Sequence, residues 1–156
     1  KKTADWTITV NKNKYEMNNW TLDDQFESGG LVLIDDSFKI QDITNNKTLQ
    51  KDKDYTLTKK PDHKGFTLAF IGDYAKTDSQ FKITYTTTFN ADYSNESVKN
   101  TAQSTWTDQN GNERTNKVSS GFTPNHQTTN NGFKNGSYNA VSKEITWKIG
   151  VNYNGE

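Results

Sequence analysis

Asp5-Trp6-Thr7-Ile8-Thr9-Val10-Asn11 decides the fold class: Trp6, Ile8 and Val10 fall on one face and Thr7 and Thr9 on the other, the period of two that marks a half-buried strand. The same run returns 141 residues later as Trp147-Lys148-Ile149-Gly150-Val151-Asn152, with Asn154 in the place of Asn13. A strand that recurs at so long a spacing is the opening of a repeated domain. The chain therefore divides into a β-sandwich repeat over residues 1–122, a linker over 123–132, and the opening strands of a second repeat over 133–156. The linker, Thr-Pro-Asn-His-Gln-Thr-Thr-Asn-Asn-Gly, has no apolar residue and carries a proline and a terminal glycine.

Outward from that first strand, the alternation continues. Trp20, Leu22 and Asp24 share a face and end at Ser28-Gly29-Gly30. Leu31 to Ile34 and Ser37 to Ile43 are further strand runs, and residues 44–53 read as a solvated lysine-rich loop. Asp54 to Thr58 and Gly65 to Ile71 form a hairpin across Pro61-Asp62. Phe81, Ile83 and Tyr85 alternate with polar residues, and Val98 to Trp106 is joined through Asn110-Gly111 to Glu113–Phe122. No helical period occurs. Many short strands at regular spacing predict an all-β, immunoglobulin-like β-sandwich.

Composition narrows the function. Lys plus Arg equals Asp plus Glu at 19 each, so no concentrated basic charge points to nucleic acid or to an anionic membrane. No apolar run approaches the roughly 20 residues of a membrane helix, so membrane insertion is not expected. Only 29% of residues are hydrophobic, yet the chain has eight Phe, four Trp and seven Tyr, and large rings build a core from few residues. Cysteine is absent, so stability must come from something other than disulfides. His63 and His126 have no acidic or histidine companion at ligand spacing, so neither a metal nor a cofactor is expected. The adjacent carboxylates Asp23/Asp24 and Asp35/Asp36 point apart on a strand and make no glycosidase pair. Turnover catalysis is not expected. Trp20, Tyr74, Tyr93 and Trp106 are candidate ligand-stacking rings, the competing reading being that they are core.

Two polar residues stand out because alternation turns them inward: Asp24 and, in Val98-Lys99-Asn100-Thr101-Ala102, Asn100. Burial of either is costly unless it is paired. Either each is a strand-end residue satisfied locally, or the two belong together. Lys134, in Phe133-Lys134-Asn135-Gly136-Ser137-Tyr138, adds a lysine, and lysine, asparagine and an acid are the ingredients of a self-formed isopeptide crosslink.

The chain resembles the collagen-binding-domain family of Gram-positive cell-wall-anchored adhesins. The resemblance rests on Trp6–Asn11, Thr-Leu-Asp-Asp-Gln (Thr21–Gln25), Phe-Lys-Ile-Thr-Tyr-Thr-Thr (Phe81–Thr87) and Asn-Thr-Ala (Asn100–Ala102). It implies that Asn100 is the acyl donor and Asp24 the catalytic acid of an autocatalytic Lys-Asn bond, Asp23 lying on the opposite face. It implies a lysine strand upstream of the tryptophan strand; Lys134 holds that place for the second repeat, thirteen residues before Trp147, whereas Lys1 and Lys2 are at the wrong distance. It also implies an extracellular stalk or repeat domain, the alternative being a module that binds host extracellular-matrix protein such as collagen or, through the candidate stacking rings, a glycan, with neighbouring repeats of the same protein as further partners. The 133–156 segment is expected to complement residues 1–122, folded back in its own chain or donated to a neighbouring one, with Phe133–Tyr138 as the added lysine strand; without it Asn100 and Asp24 are expected to stay an unreacted pair.

Overall fold

The structure is a computed structural model that describes residues 3–26, 30–88, 98–122, 136–139 and 145–152. Its strands are β1 (Thr3–Val10), β2 (Met17–Phe26), β3 (Val32–Leu33), β4 (Lys39–Asp42), β5 (Lys47–Thr48), β6 (Tyr55–Lys59), β7 (Gly65–Phe70), β8 (Lys76–Thr77), β9 (Phe81–Thr88), β10 (Val98–Thr107), β11 (Glu113–Phe122), β12 (Gly136–Asn139) and β13 (Ile145–Asn152). They form two antiparallel sheets. One has the order β12-β13-β1-β9-β4-β5, with β3 also on β9; the other is β11-β10-β2-β7-β6, with β8 also on β2. Short 3-10 turns at Asp35–Ser37, Pro61–His63 and Gly72–Tyr74 are the helical pieces among the described residues. This is the immunoglobulin-like sandwich that the alternation predicts.

The apolar stripe of β1 is solvent-free at Trp6, Ile8 and Val10, and it meets Phe81, Ile83 and Tyr85 of β9 across the ladder. From the other sheet come Trp20, Leu22 and Phe26 of β2 and Phe66, Leu68 and Phe70 of β7. Each such side chain contributes roughly 1.5–3 kcal/mol by leaving water. A small set of large rings thus supports a hydrophilic chain.

Three departures from simple alternation have local causes. Asn19 adopts φ 52°, and the β2–β10 register shifts between Thr105 and Thr107. That bulge lets Met17 be buried together with Trp20, which strict alternation forbids. At the β10–β11 turn the loop spans residues 108–112 and not Asn110-Gly111 alone. The Asp108 carboxylate organises it by accepting the backbone N–H groups of Asn110 and Asn112, each at 2.9 Å, with Gly111 at φ 81°. The lysine-rich 44–53 stretch is mostly exposed as expected, but Leu49 is drawn into the core.

Beyond residue 122, β13 pairs with β1 along all eight residues, from Thr3 opposite Asn152 to Val10 opposite Ile145. The second copy of the tryptophan strand is therefore the one that joins the first domain directly. β12, from the segment expected to take that place, lies one strand further out on β13, and both tail strands also touch β11, the edge of the opposite sheet. Lys134 lies outside the described residues.

Candidate functional site

Asp24 sits on β2 opposite Ala102 of β10, and Asn100 is opposite Phe26. Asp24 and Asn100 are consequently diagonal neighbours on the inward face of one sheet, and the small Ala102 leaves room between them. Both are solvent-free. Asp23, one residue earlier, faces out at 55% exposure, where it pairs with Lys60 Nζ at 2.9 Å. The face assignment made from alternation is the one observed.

The third member comes from the opposing sheet. The Tyr85 hydroxyl, reaching across from β9, donates to Asp24 Oδ2 and accepts from Asn100 Nδ2 at 2.8 Å. Aromatic rings pack around it: Phe66 at 5.2 Å, Phe38 at 6.0 Å, Phe26 at 6.3 Å and Trp6 at 6.4 Å between centroids. In so apolar a box burial raises the Asp24 carboxyl from 3.8 to about 8, against the opposing pull of the Tyr85 hydroxyl and the Asn100 amide. Burial likewise pushes the Tyr85 phenol well above its usual value, helped by the Asp24 charge. At neutral pH the acid therefore holds its proton. Asp24 Oδ1 and Asn100 Oδ1 are buried without a partner among the described residues. A protonated carboxyl beside an unmet amide oxygen is equipped to polarise that amide.

Backbone packing fixes Asp24 in place. Gly65 lies opposite Gln25 on β7 with φ +150°, and a Cβ there would stand 2.3 Å from the Asp24 carbonyl oxygen. Only glycine allows this approach.

The candidate stacking rings are placed differently. Trp20, Tyr74 and Trp106 are all buried, so they line the core and form no platform; Tyr93 lies outside the described residues. The reason is supply, because a chain this poor in aliphatic residues fills its interior with rings. Tyr74 in addition donates to the buried Asp42 carboxylate at 2.8 Å. Tyr85 was missed as a site residue. In sequence it is one more aromatic in an alternating run, and only the packing of the two sheets brings its hydroxyl between Asp24 and Asn100.

Two antiparallel sheets closed over a buried acid and amide define an immunoglobulin-like sandwich of the type found in collagen-binding domains of Gram-positive adhesins. The chain belongs to the collagen binding domain family, whose model matches residues 1–115. The collagen-binding subdomain of the Enterococcus faecalis surface protein ACE superposes with a TM-score of 0.65 at 20% identity, covering 78% of this chain and 87% of that one. The collagen-binding domain of a Staphylococcus aureus adhesin gives 0.63 at 15% identity, over 78% and 88%. The major pilin subunit of Bacillus cereus, BcpA, gives 0.54 at 12%, over 90% of this chain and 46% of the pilin. Identities this low speak for the shared fold. No curated protein matches the sequence.

Proposed function

We propose that this chain is an adhesion domain displayed outside a Gram-positive cell, and that its sandwich is locked by an amide bond between Lys134 and Asn100. The observation that carries this reading is the solvent-free contact of Asp24, Tyr85 and Asn100, in which the acid is neutral and the amide oxygen has no donor among the described residues. A lysine entering the same apolar box loses its proton, because desolvation disfavours the cation. Its free Nζ attacks Asn100 Cγ while Asp24 gives a hydrogen bond to Asn100 Oδ1. Asp24 then carries a proton from Nζ to the departing nitrogen. The Cγ–Nδ2 bond breaks, ammonia leaves, and the acid is regenerated. Tyr85 is a positioning residue, holding Asp24 Oδ2 and Asn100 Nδ2 so that the remaining oxygens face the incoming amine.

In this reading residues 1–122 are one repeat, 123–132 a linker, and 133–156 the opening of the next repeat, folded back so that β12 and β13 reach β11 beside the Asn100 strand. Such a bond makes a pulled domain load a covalent link in place of a ladder of hydrogen bonds. The test is the intact mass of the denatured protein. Wild type should weigh one ammonia less than its sequence, while Asn100→Ala, Asp24→Ala and Lys134→Ala should keep the full mass. Full mass in folded, aged wild type would overturn the bond.

The partner that the family favours is collagen, since related domains from E. faecalis and S. aureus are described as collagen-binding. Burial of Trp20, Tyr74 and Trp106 counts against a stacking platform for sugar or peptide alike, Tyr93 lying outside the described residues. Retention of the protein on immobilised collagen, with none on gelatin-free plastic, is expected; equal retention on both would reject collagen as ligand.

A further inference from the structure

The contact between β1 and β13 has a symmetry that the sequence repeat makes visible. In the ladder Thr7 is opposite Lys148, Trp6 opposite Ile149, and Ile8 opposite Trp147. Thr7 and Lys148 are equivalent positions of the two copies, 141 residues apart, and Trp6 and Ile8 correspond to Trp147 and Ile149. Each copy therefore sees in the other what it shows itself, about a two-fold axis through the Thr7–Lys148 pair. This is the defining property of an isologous contact. Register in a sheet is specified, because a slip of one residue would turn every core-facing position outward. The two-fold register pairs core-facing Trp6 and Ile8 with their own counterparts in exchanged order.

We propose that the outer edge of β1 is a self-complementary docking strand whose occupant is a second copy of the same strand. In this chain β13 is that copy; where β13 is disabled, β1 of another molecule takes its place and two sheets join edge to edge. Without β13, alternate residues along the eight of β1 turn unpaired N–H and C=O groups to the outer edge, the others being held by β9, and the strand's sequence fixes the partner and the register.

The chain has no cysteine, so paired substitutions report the register directly. Directly opposite residues on antiparallel strands lie about 4.5–5.5 Å apart at Cα, within disulfide reach. Thr7→Cys/Lys148→Cys should close an internal disulfide on mild oxidation. Thr3→Cys/Lys148→Cys, four residues out of register at about 3.4 Å each, should not. The second arm disables β13 with Lys148→Pro/Ile149→Pro. Successive strand residues donate to opposite neighbours, so this pair removes a donor on each side. In that background Thr7→Cys should give dimers that dissociate on reduction, because position 7 faces itself across the axis, and Thr3→Cys should stay monomeric. Absence of the internal disulfide, equal yields at positions 3 and 7, or a monomeric Thr7→Cys proline variant would each overturn the proposal. The first arm decides the register even if the proline variant does not fold.

Discussion

Asp24 and Asp42 are both solvent-free carboxylates, and each receives a tyrosine hydroxyl, Tyr85 in one case and Tyr74 in the other. Their protonation goes opposite ways. Asp42 also accepts the Asn45 backbone N–H at 3.0 Å and the Asn45 side-chain amide at 2.8 Å; against the upward push of burial these donors hold it below 3.8. Asp24 keeps one oxygen without a donor among the described residues, and burial carries it up to about 8. Asp42 takes more donors and sits beside the exposed 43–48 loop, so donor number and depth together decide which buried acid is a structural anion and which a proton carrier. Asp42 ties a turn together; Asp24 is left able to do chemistry.

The largest expected effect separates the two by pH, measured in the Lys134→Ala background so that Asn100 stays unreacted. Asp24 binds its proton more tightly folded than unfolded, so its contribution is complete below about pH 4 and is lost as pH rises through 8. Stability should fall by up to about 5 kcal/mol over that window, and Asp24→Asn should flatten the profile. Asp42 behaves in reverse, its contribution being present above 3.8 and lost as pH drops below its lowered midpoint. Chemical denaturation at pH 5 and pH 9 checks Asp24, and at pH 2 and pH 5 checks Asp42; a pH profile between 5 and 9 that Asp24→Asn leaves unchanged would break the comparison.

Next in size is Asp42→Asn, which sets an amide donor against the Asn45 and Tyr74 donors and should cost about 2–3 kcal/mol at pH 7. Asp24→Asn should cost under about 1 kcal/mol at pH 3, where the carboxyl is neutral both folded and unfolded, and at pH 7 should be more stable than wild type, because an unfolded asparagine has no proton to release. Equal losses would mean that both acids are ionised. Tyr85→Phe should cost about 1 kcal/mol and raise the Asp24 midpoint further, because it removes the hydroxyl that favours the anion. In the chain that retains Lys134 it should also slow ammonia loss without abolishing it. A Tyr85→Phe protein that reacts at the wild-type rate would leave the tyrosine a packing role only. The smallest effect is expected at Asp23→Ala, an exposed partner of Lys60, at within about 0.5 kcal/mol by thermal melting.

Alternation alone pointed Asp24 and Asn100 inward, because a period of two is a local property of the chain. The same alternation along Lys39-Ile40-Gln41-Asp42 points Asp42 inward beside Ile40, although a polar loop follows it. Tyr85 could not be assigned that way. Its role depends on which sheet faces which, and nothing in an alternating Phe-Lys-Ile-Thr-Tyr run records the distance across the core. The Asn19 bulge and the Asp108 turn hinge on single backbone angles and side-chain hydrogen bonds that periodicity does not register. Trp20 and Trp106 had two readings in sequence, and the shortage of aliphatic residues settles them as core.

Amide chemistry at Asn100 requires a neutral Asp24 beside it. A titration of the side-chain carboxyl carbons by NMR in Lys134→Ala, following Asp24 and Asp42 in the same sample, tests it most directly. Asp24 should titrate near 8 and Asp42 below 3.8. An Asp24 midpoint at or below 3.8 would contradict the account, because an ionised acid has no proton to give the amide.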